Sequence, residues 1–200
     1  LGCGGMIATR EDDCLVVYVS NRYYDHKYDD KLNNIQLECA KQVAAKLGFR
    51  YDYLGFPDED IDKIPVIDIV KELEKVIINN PITEVFVPFY NDTNQTHRKV
   101  FEACRIAFRP FYFTNIKAMY MYEVLSASET YALSTFSPNF FVDISNSIHI
   151  KVSCMGLYTT EVRDNAHPRS FDNIYSLARF RGSSVGYNFA EAFMQLWRKM

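Results

Sequence analysis

Between Tyr90 and Ala103 the chain reads Y-N-D-T-N-Q-T-H-R-K-V-F-E-A. Seven consecutive residues of that stretch hold a carboxylate (Asp92), an amide (Asn94), a hydroxyl (Thr96), an imidazole (His97) and a guanidinium (Arg98). The run before it, E-V-F-V-P-F at 84–89, is apolar and reads as a buried strand. Val100, Phe101, Cys104, Ala107 and Phe108 after it fall at helical spacing. The polar segment is therefore a loop that leaves a strand at its carboxyl end and enters a helix. Open α/β sheets bind ligands at that end, and the free N–H groups of a helix start favour anionic groups. The plain alternative is a solvated turn with Asn94 or Thr96 as the helix cap. One loop does not name a reaction.

The elements that would position this loop follow a repeating order. A Gly4-Gly5 turn enters a short helix through Met6, Ile7 and Ala8, and Glu11, Asp12 and Asp13 form a solvated turn. L-V-V-Y-V at 15–19 is a continuous apolar run, as in a parallel strand covered on both faces. Residues 20–34 read as a long polar segment containing His26. Ile35, Cys39, Val43 and Leu47 make a helical stripe, which Gly48 ends as a C′ glycine. Residues 50–56 form a short strand, and Pro57 to Asp60 turn on the ligand side. Pro65 opens a helix with Ile69, Val70, Leu73, Val76 and Ile77 inward. Residues 116–124 read as another strand and 136–144 as a loop or short strand. Three helices are expected over about 147–162, 170–180 and 187–198, the second capped by Ser170 and the third facing inward through Ala190, Phe193 and Trp197. Such alternation predicts an α/β fold with one mostly parallel sheet, helices on both faces and right-handed crossovers.

Composition narrows the partners. Two hundred residues at 48% hydrophobic content suit one domain with a sizeable core. A net charge of −3 without a basic block argues against nucleic acid. No apolar run approaches the ~18 residues of a spanning helix. Five scattered cysteines without a C-x-x-C pair read as buried thiols of a reducing, cytoplasmic compartment. Leu1 in place of Met, followed by a glycine cluster, leads us to expect a strand and a loop upstream.

Taken in order, L-G-C-G-G-M-I-A at 1–8, L-G-F-P-D at 54–58, N-D-T-N-Q-T-H-R at 91–98, Y-E-V-L-S-A-S-E at 122–129, F-S-P-N at 136–139 and H-P-R-S through A-E-A-F at 167–193 resemble the LmbE-like, or PIG-L, family of zinc-dependent N-deacetylases. Each piece is weak by itself; the ordered set is specific and runs nearly end to end. The resemblance implies a Rossmann-like, three-layer domain over residues 1–200, cut at its N-terminus so that the first, central strand is missing. The family's A-H-P-D-D-E signature, which supplies two metal ligands and the general base, belongs to that segment. It further implies a metal-dependent N-deacetylase that hydrolyses the acetamide of an N-acetylated amino sugar or sugar conjugate, in surface polysaccharide or glycoconjugate biosynthesis.

In such a site zinc brings the pKa of its water toward ~7 and polarises the amide carbonyl, while a carboxylate relays the proton. The resemblance makes His97 the metal ligand present here, leaves no catalytic base in the chain, and gives Asp58, Asp92, Asn94 and Arg98 to substrate binding. The implied cofactor is Zn2+ in an incomplete site, and the implied partner an N-acetylated sugar or glycoconjugate, with a homo-oligomer left open. Two departures stand out. Thr96 replaces the family's Asp before the ligand His, and Gln36 and Cys39 fall where the family has Arg-x-x-Glu, with Glu38 one residue away. Tyr120 and Tyr122 face either the site or the core, and His167 and Arg169 read as a helix entry. The alternative function is a non-catalytic carbohydrate-binding relative, or an inactive fragment, without the metal site.

Overall fold

A computed structural model describes residues 2–21, 23–24, 27–28, 30–58, 60–129 and 135–200, with side chains outside the description over 22–30. In chain order the elements are α1 (Gly4–Thr9), β1 (Leu15–Asn21), β2 (Tyr23–Tyr24), β3 (Lys27–Tyr28), α2 (Asp30–Leu47), β4 (Arg50–Pro57), a 3-10 turn (Ile61–Lys63), α3 (Val66–Asn79), β5 (Glu84–Pro88), α4 (Gln95–Ala107), β6 (Ala118–Tyr122), β7 (Phe140–Asp143), α5 (Ile148–Leu157), α6 (Phe171–Ser183) and β8 (Ala190–Arg198). They fall into two compact units. The first comprises Leu1–Gly55 with Phe141–Ala192, the second Phe56–Phe140 with Phe193–Met200.

In the second unit β5 and β6 pair in parallel, from Glu84 opposite Ala118 to Pro88 opposite Tyr122. Helix α3 turns Ile69, Val70, Leu73, Val76 and Ile77 inward, and α4 turns in Val100, Ala103, Cys104 and Ala107. Tyr120 is fully buried; its ring stacks on Phe86 at 4.8 Å, and Phe193 meets Phe86 edge-on at 5.1 Å. Offset and edge-on pairs of this kind add to the plain burial of the rings. The Tyr120 hydroxyl accepts a hydrogen bond from Arg198 Nη1 at 2.9 Å, so this tyrosine belongs to the core.

The first unit has a core of Val43, Ala44, Phe49 and Cys154, joined by Ile7, Val16 and Leu157. A second cluster holds Ile144, Ile148 and Ala178. Gly48 ends α2 at φ +73°, a left-handed conformation that a C′ glycine adopts at no steric cost. Ser170 caps α6 by accepting from the Asn173 N–H, as its position predicts. At the start of α1, the buried Glu191 carboxylate accepts the Gly5 and Met6 N–H groups at 2.8 and 2.7 Å and pairs with Lys151 at 2.7 Å. His149 is exposed on α5.

The expected single, mostly parallel Rossmann-like sheet is not formed. Strands β1 and β4 pair with each other, β2 and β3 form a two-residue antiparallel hairpin, and the remaining four run in the order β5-β6-β8-β7. Of the pairs with a described register, β5–β6 is parallel while β2–β3 and β6–β8 are antiparallel. The correction turns largely on 187–198, which reads as a helix but holds the strand β8 from Ala190 on. Its register runs Phe193 opposite Tyr122, Met194 opposite Met121 and Gln195 opposite Tyr120, then Trp197 opposite Met119, with a shift between Met119 and Tyr120. Leu196 is skipped there and is exposed. One extra residue in a strand switches which positions face inward, so Trp197 shares a face with Met194 and not with Phe193, and the helical spacing of Ala190, Phe193 and Trp197 marks no common face. Residues 20–34 were expected as loop, yet α2 already starts at Asp30, with the buried Asn33 at an inward position where an apolar residue would have signalled it. No described helix is long and apolar enough to cross a membrane.

Candidate functional site

Strand β5 ends at Pro88, and the backbone then turns through an Asp92 N–H to Phe89 carbonyl bond of 3.3 Å. This places the Asp92 side chain under the first turn of α4. Asp92 is 1% exposed, and a carboxylate that deep needs its oxygens hydrogen-bonded. Oδ1 accepts the Asn94 N–H at 2.9 Å. Oδ2 accepts the Ser128 hydroxyl at 3.0 Å and lies 3.0 Å from His97 Nδ1. Facing a carboxylate, Nδ1 carries the proton, which leaves Nε2 as the imidazole's acceptor or ligand atom. The His97 side chain is 27% exposed, so that atom lies on an accessible ring.

The loop itself is fixed from several sides. Asn94 caps α4, its Oδ1 accepting the His97 N–H at 3.2 Å. Arg98 folds back, and its Nη1 donates to the Asp92 and Thr93 carbonyls at 2.6 and 2.8 Å. The Thr96 hydroxyl donates to the Asp58 carbonyl at 3.0 Å. Thr93 binds the Ala127 carbonyl twice, through its N–H at 3.2 Å and its hydroxyl at 3.0 Å. The 124–128 turn is tightened by the Val124 N–H to Ser128 Oγ bond of 2.8 Å, and the Glu129 carboxylate accepts the Ser126 N–H at 2.5 Å. Adjacent parallel strands end side by side, so the loops leaving β5 and β6 meet.

Asp92, Asn94, His97 and Arg98 thus come together in one constellation, and Asp58 joins it through its backbone. One detail differs from the expectation: Arg98 spends Nη1 on the loop's own carbonyls. With Thr96 in place of an aspartate, the carboxylate behind His97 is that of Asp92. Residue 96 lies about 100° around the helix from 97, and Thr96 is buried toward Asp58. Sequence reasoning also missed Ser128 as a member of the site. The signal for it was the position of S-A-S-E just after strand β6, beside the end of β5.

The remaining expected residues lie in the first unit, apart from His26, which is outside the described residues. Gln36 Nε2 donates to Glu161 Oε1 at 3.1 Å, and Arg169 Nη1 pairs with Glu161 Oε2. Cys39 Sγ donates to the Leu157 carbonyl at 3.1 Å, and Glu38 pairs with Lys41 at 3.6 Å on the surface. His167 Nδ1 accepts the Arg169 N–H at 3.0 Å, and its carbonyl accepts Asn173 Nδ2, an arrangement that shapes the entry to α6.

Among solved structures the chain is similar to the N,N'-diacetylchitobiose deacetylase of Pyrococcus horikoshii, with a TM-score of 0.74 at 18% identity over 98% of this chain and 78% of that one. It is similar to GalB, the 4-carboxy-2-hydroxymuconate hydratase of Pseudomonas putida, with a TM-score of 0.73 at 16% identity over 100% and 91%. A deacetylase of the teicoplanin biosynthesis pathway gives 0.73 at 12% identity over 100% and 93%. The chain shares their fold. No protein-family model matches the sequence, and no curated protein matches it. Deacetylases and a hydratase stand side by side on this fold, so the reaction has to be read from the site.

Zinc is the group that the family resemblance implies, and an open catalytic zinc takes three protein ligands and a water. Among the described residues, no three His, Cys, Asp or Glu side chains are placed to hold a metal ion. His97 offers one nitrogen, and both oxygens of its neighbour Asp92 already accept hydrogen bonds. This donor set does not fit a three-ligand zinc.

Proposed function

We propose that the chain is a carbohydrate-binding relative of the deacetylases with this fold, taking an N-acetylated amino sugar or glycoconjugate at the Asp92–His97–Ser128 constellation without a resident metal. The supporting observation is the pairing of His97 Nδ1 with buried Asp92 in a setting where the described residues supply no three-ligand set. In this reading His97 Nε2 accepts a sugar hydroxyl or the acetamide N–H. Asn94, at the start of α4, and Asp58, whose carbonyl binds Thr96 of that helix, contact neighbouring hydroxyls, and Arg98 holds the loop's shape. The sugar class comes from the N,N'-diacetylchitobiose deacetylase that shares the fold.

Calorimetric titration of the 200-residue chain with N-acetylglucosamine and N,N'-diacetylchitobiose, in the presence and absence of a chelator, tests this. Binding that the chelator leaves unchanged, and that His97→Ala weakens about tenfold or more, is the expected result. Binding lost with the chelator overturns it. A second reading, a metal-dependent N-deacetylase, is favoured by one feature: a carboxylate-oriented imidazole is the usual form of a metal-ligating histidine. Metal analysis combined with an amine-release assay separates the two, since stoichiometric zinc with turnover belongs only to the second.

A further inference from the structure

At the far end of α4 from His97, residues 109–113 read Arg-Pro-Phe-Tyr-Phe and turn sharply. The Tyr112 and Phe113 N–H groups both reach the Arg109 carbonyl, at 3.1 and 3.4 Å, and the Ile116 N–H reaches Phe113 at 3.2 Å. The turn puts two successive rings outside: Phe111 is 71% exposed and Tyr112 65%. They stand 5.2 Å apart, and the Arg109 guanidinium lies 4.5 Å from the Tyr112 ring and 5.7 Å from that of Phe111. The loop is anchored. Lys199 Nζ donates to the Pro110 carbonyl at 2.6 Å, the Lys199 N–H to Lys117 at 2.7 Å, and Asn115 Nδ2 to Ile82 at 3.0 Å. A rigid loop that presents two large rings to water keeps apolar area exposed that core packing would otherwise remove.

The two stretches that carry and anchor those rings bear charge of one sign. Residues 105–117 carry Arg105, Arg109 and Lys117, residues 193–200 carry Arg198 and Lys199, and neither stretch contains an Asp or Glu, in a chain whose net charge is −3. The two stretches are neighbours, because Arg198 pairs with Ala118 and Trp197 with Met119 across the sheet. Arg198 has a carboxylate near it, Glu84 at 3.7 Å. Trp197, with the Lys199 ammonium 5.6 Å from its ring, adds a third aromatic to this end of the unit.

We infer that this end of the second unit docks on an anionic lipid surface, with Phe111 and Tyr112 entering the headgroup region and Arg105, Arg109 and Lys117 facing the phosphates. Aromatic rings with a polar edge or a cation beside them suit the membrane–water boundary, and each basic residue near an anionic leaflet strengthens binding. In a symmetric pairing of two copies these basic residues would face their own counterparts, whereas on an anionic leaflet they face opposite charge.

Co-sedimentation of the 200-residue chain with vesicles of phosphatidylcholine and phosphatidylserine, against phosphatidylcholine alone, is the test. Binding to the mixed vesicles alone is expected, weakening as salt rises. Phe111→Ser with Tyr112→Ser is expected to weaken it at least about tenfold, and Lys117→Glu about fivefold or more. Phe180→Ser, which removes an equally exposed ring from α6, is expected to leave it unchanged. Three outcomes overturn the inference: equal binding to both vesicles or to neither, mixed-vesicle binding that the double variant retains, or self-association in sedimentation velocity that the double variant abolishes. The last assigns the face to a second copy of the chain.

Discussion

Asp92 gathers three donors from two loops onto one buried carboxylate, so its removal should cost more than the loss of any single donor. Asp92→Ala leaves the Ser128 hydroxyl, the Asn94 N–H and His97 Nδ1 without their acceptor, and buried orphans cost about 1–3 kcal/mol each. Ser128→Ala leaves the carboxylate with two of its donors and should cost about 1 kcal/mol. Urea midpoints of the two variants check this, and equal shifts would show that the network is not centred on the carboxylate. Four members of the site were legible because they share one loop: Asp92, Asn94, His97 and Arg98 are adjacent in sequence, and the strand before them and the helix after them fix which end they occupy. Ser128 was not, because its bond to Asp92 spans 36 positions and no local pattern announces a partner at that range. The bond from Thr96 to the Asp58 carbonyl spans 38 positions and is unannounced for the same reason.

Helix α1 has six residues, too few to hold itself together, and the strand that carries Glu191 supplies what it lacks. The Glu191 carboxylate takes two of the N–H groups that a helix start leaves open and is itself neutralised by Lys151. Glu191→Ala is expected to lower stability by about 3–5 kcal/mol, as for other broken buried pairs. Glu191→Gln should cost less, since it keeps the shape and one acceptor; thermal unfolding of both reports the order. Gly182 makes a second test. A Cβ there would lie 2.8 Å from Phe189 Cα and from the Tyr187 carbonyl oxygen, both backbone atoms with no side chain to swing aside. Gly182→Ala should therefore destabilise by about 1–3 kcal/mol although alanine favours helices, and a neutral result would show that the 187–189 backbone yields. The helices that the sequence announced clearly, α3 and α4, have an apolar stripe and a capping or proline signal together. Strand β8 has a shift inside it, and the period that identifies a strand does not survive one.

For the chain as a whole, the reading without a resident metal predicts less than one tightly held zinc per protein after dialysis, measured by elemental analysis. Alkaline pH should expose a second property. Burial pushes the Cys104 thiol up to about 12 from its ordinary 9.0, and burial raises Cys3, Cys14, Cys39 and Cys154 as well. Between about pH 9 and 12 the folded chain keeps a Cys104 proton that the unfolded chain has released. Stability therefore falls as pH rises through that window, by about 1.4 kcal/mol per unit for this group. Cys104→Ala should flatten the decline by one group's share in urea titrations near pH 8 and near pH 10; an unchanged slope would mean that other groups set it. A different consequence follows from the path of the chain between its units. Residues 141–192 return to complete the unit begun by 1–55, and 193–200 return to the one built from 56–140. During synthesis, β6 keeps one edge open, with Met119, Tyr120 and Met121 beside it, until 193–198 have been made. About seventy residues are made between the strand and its antiparallel neighbour, and through that interval the bare edge is a template on which another chain can pair.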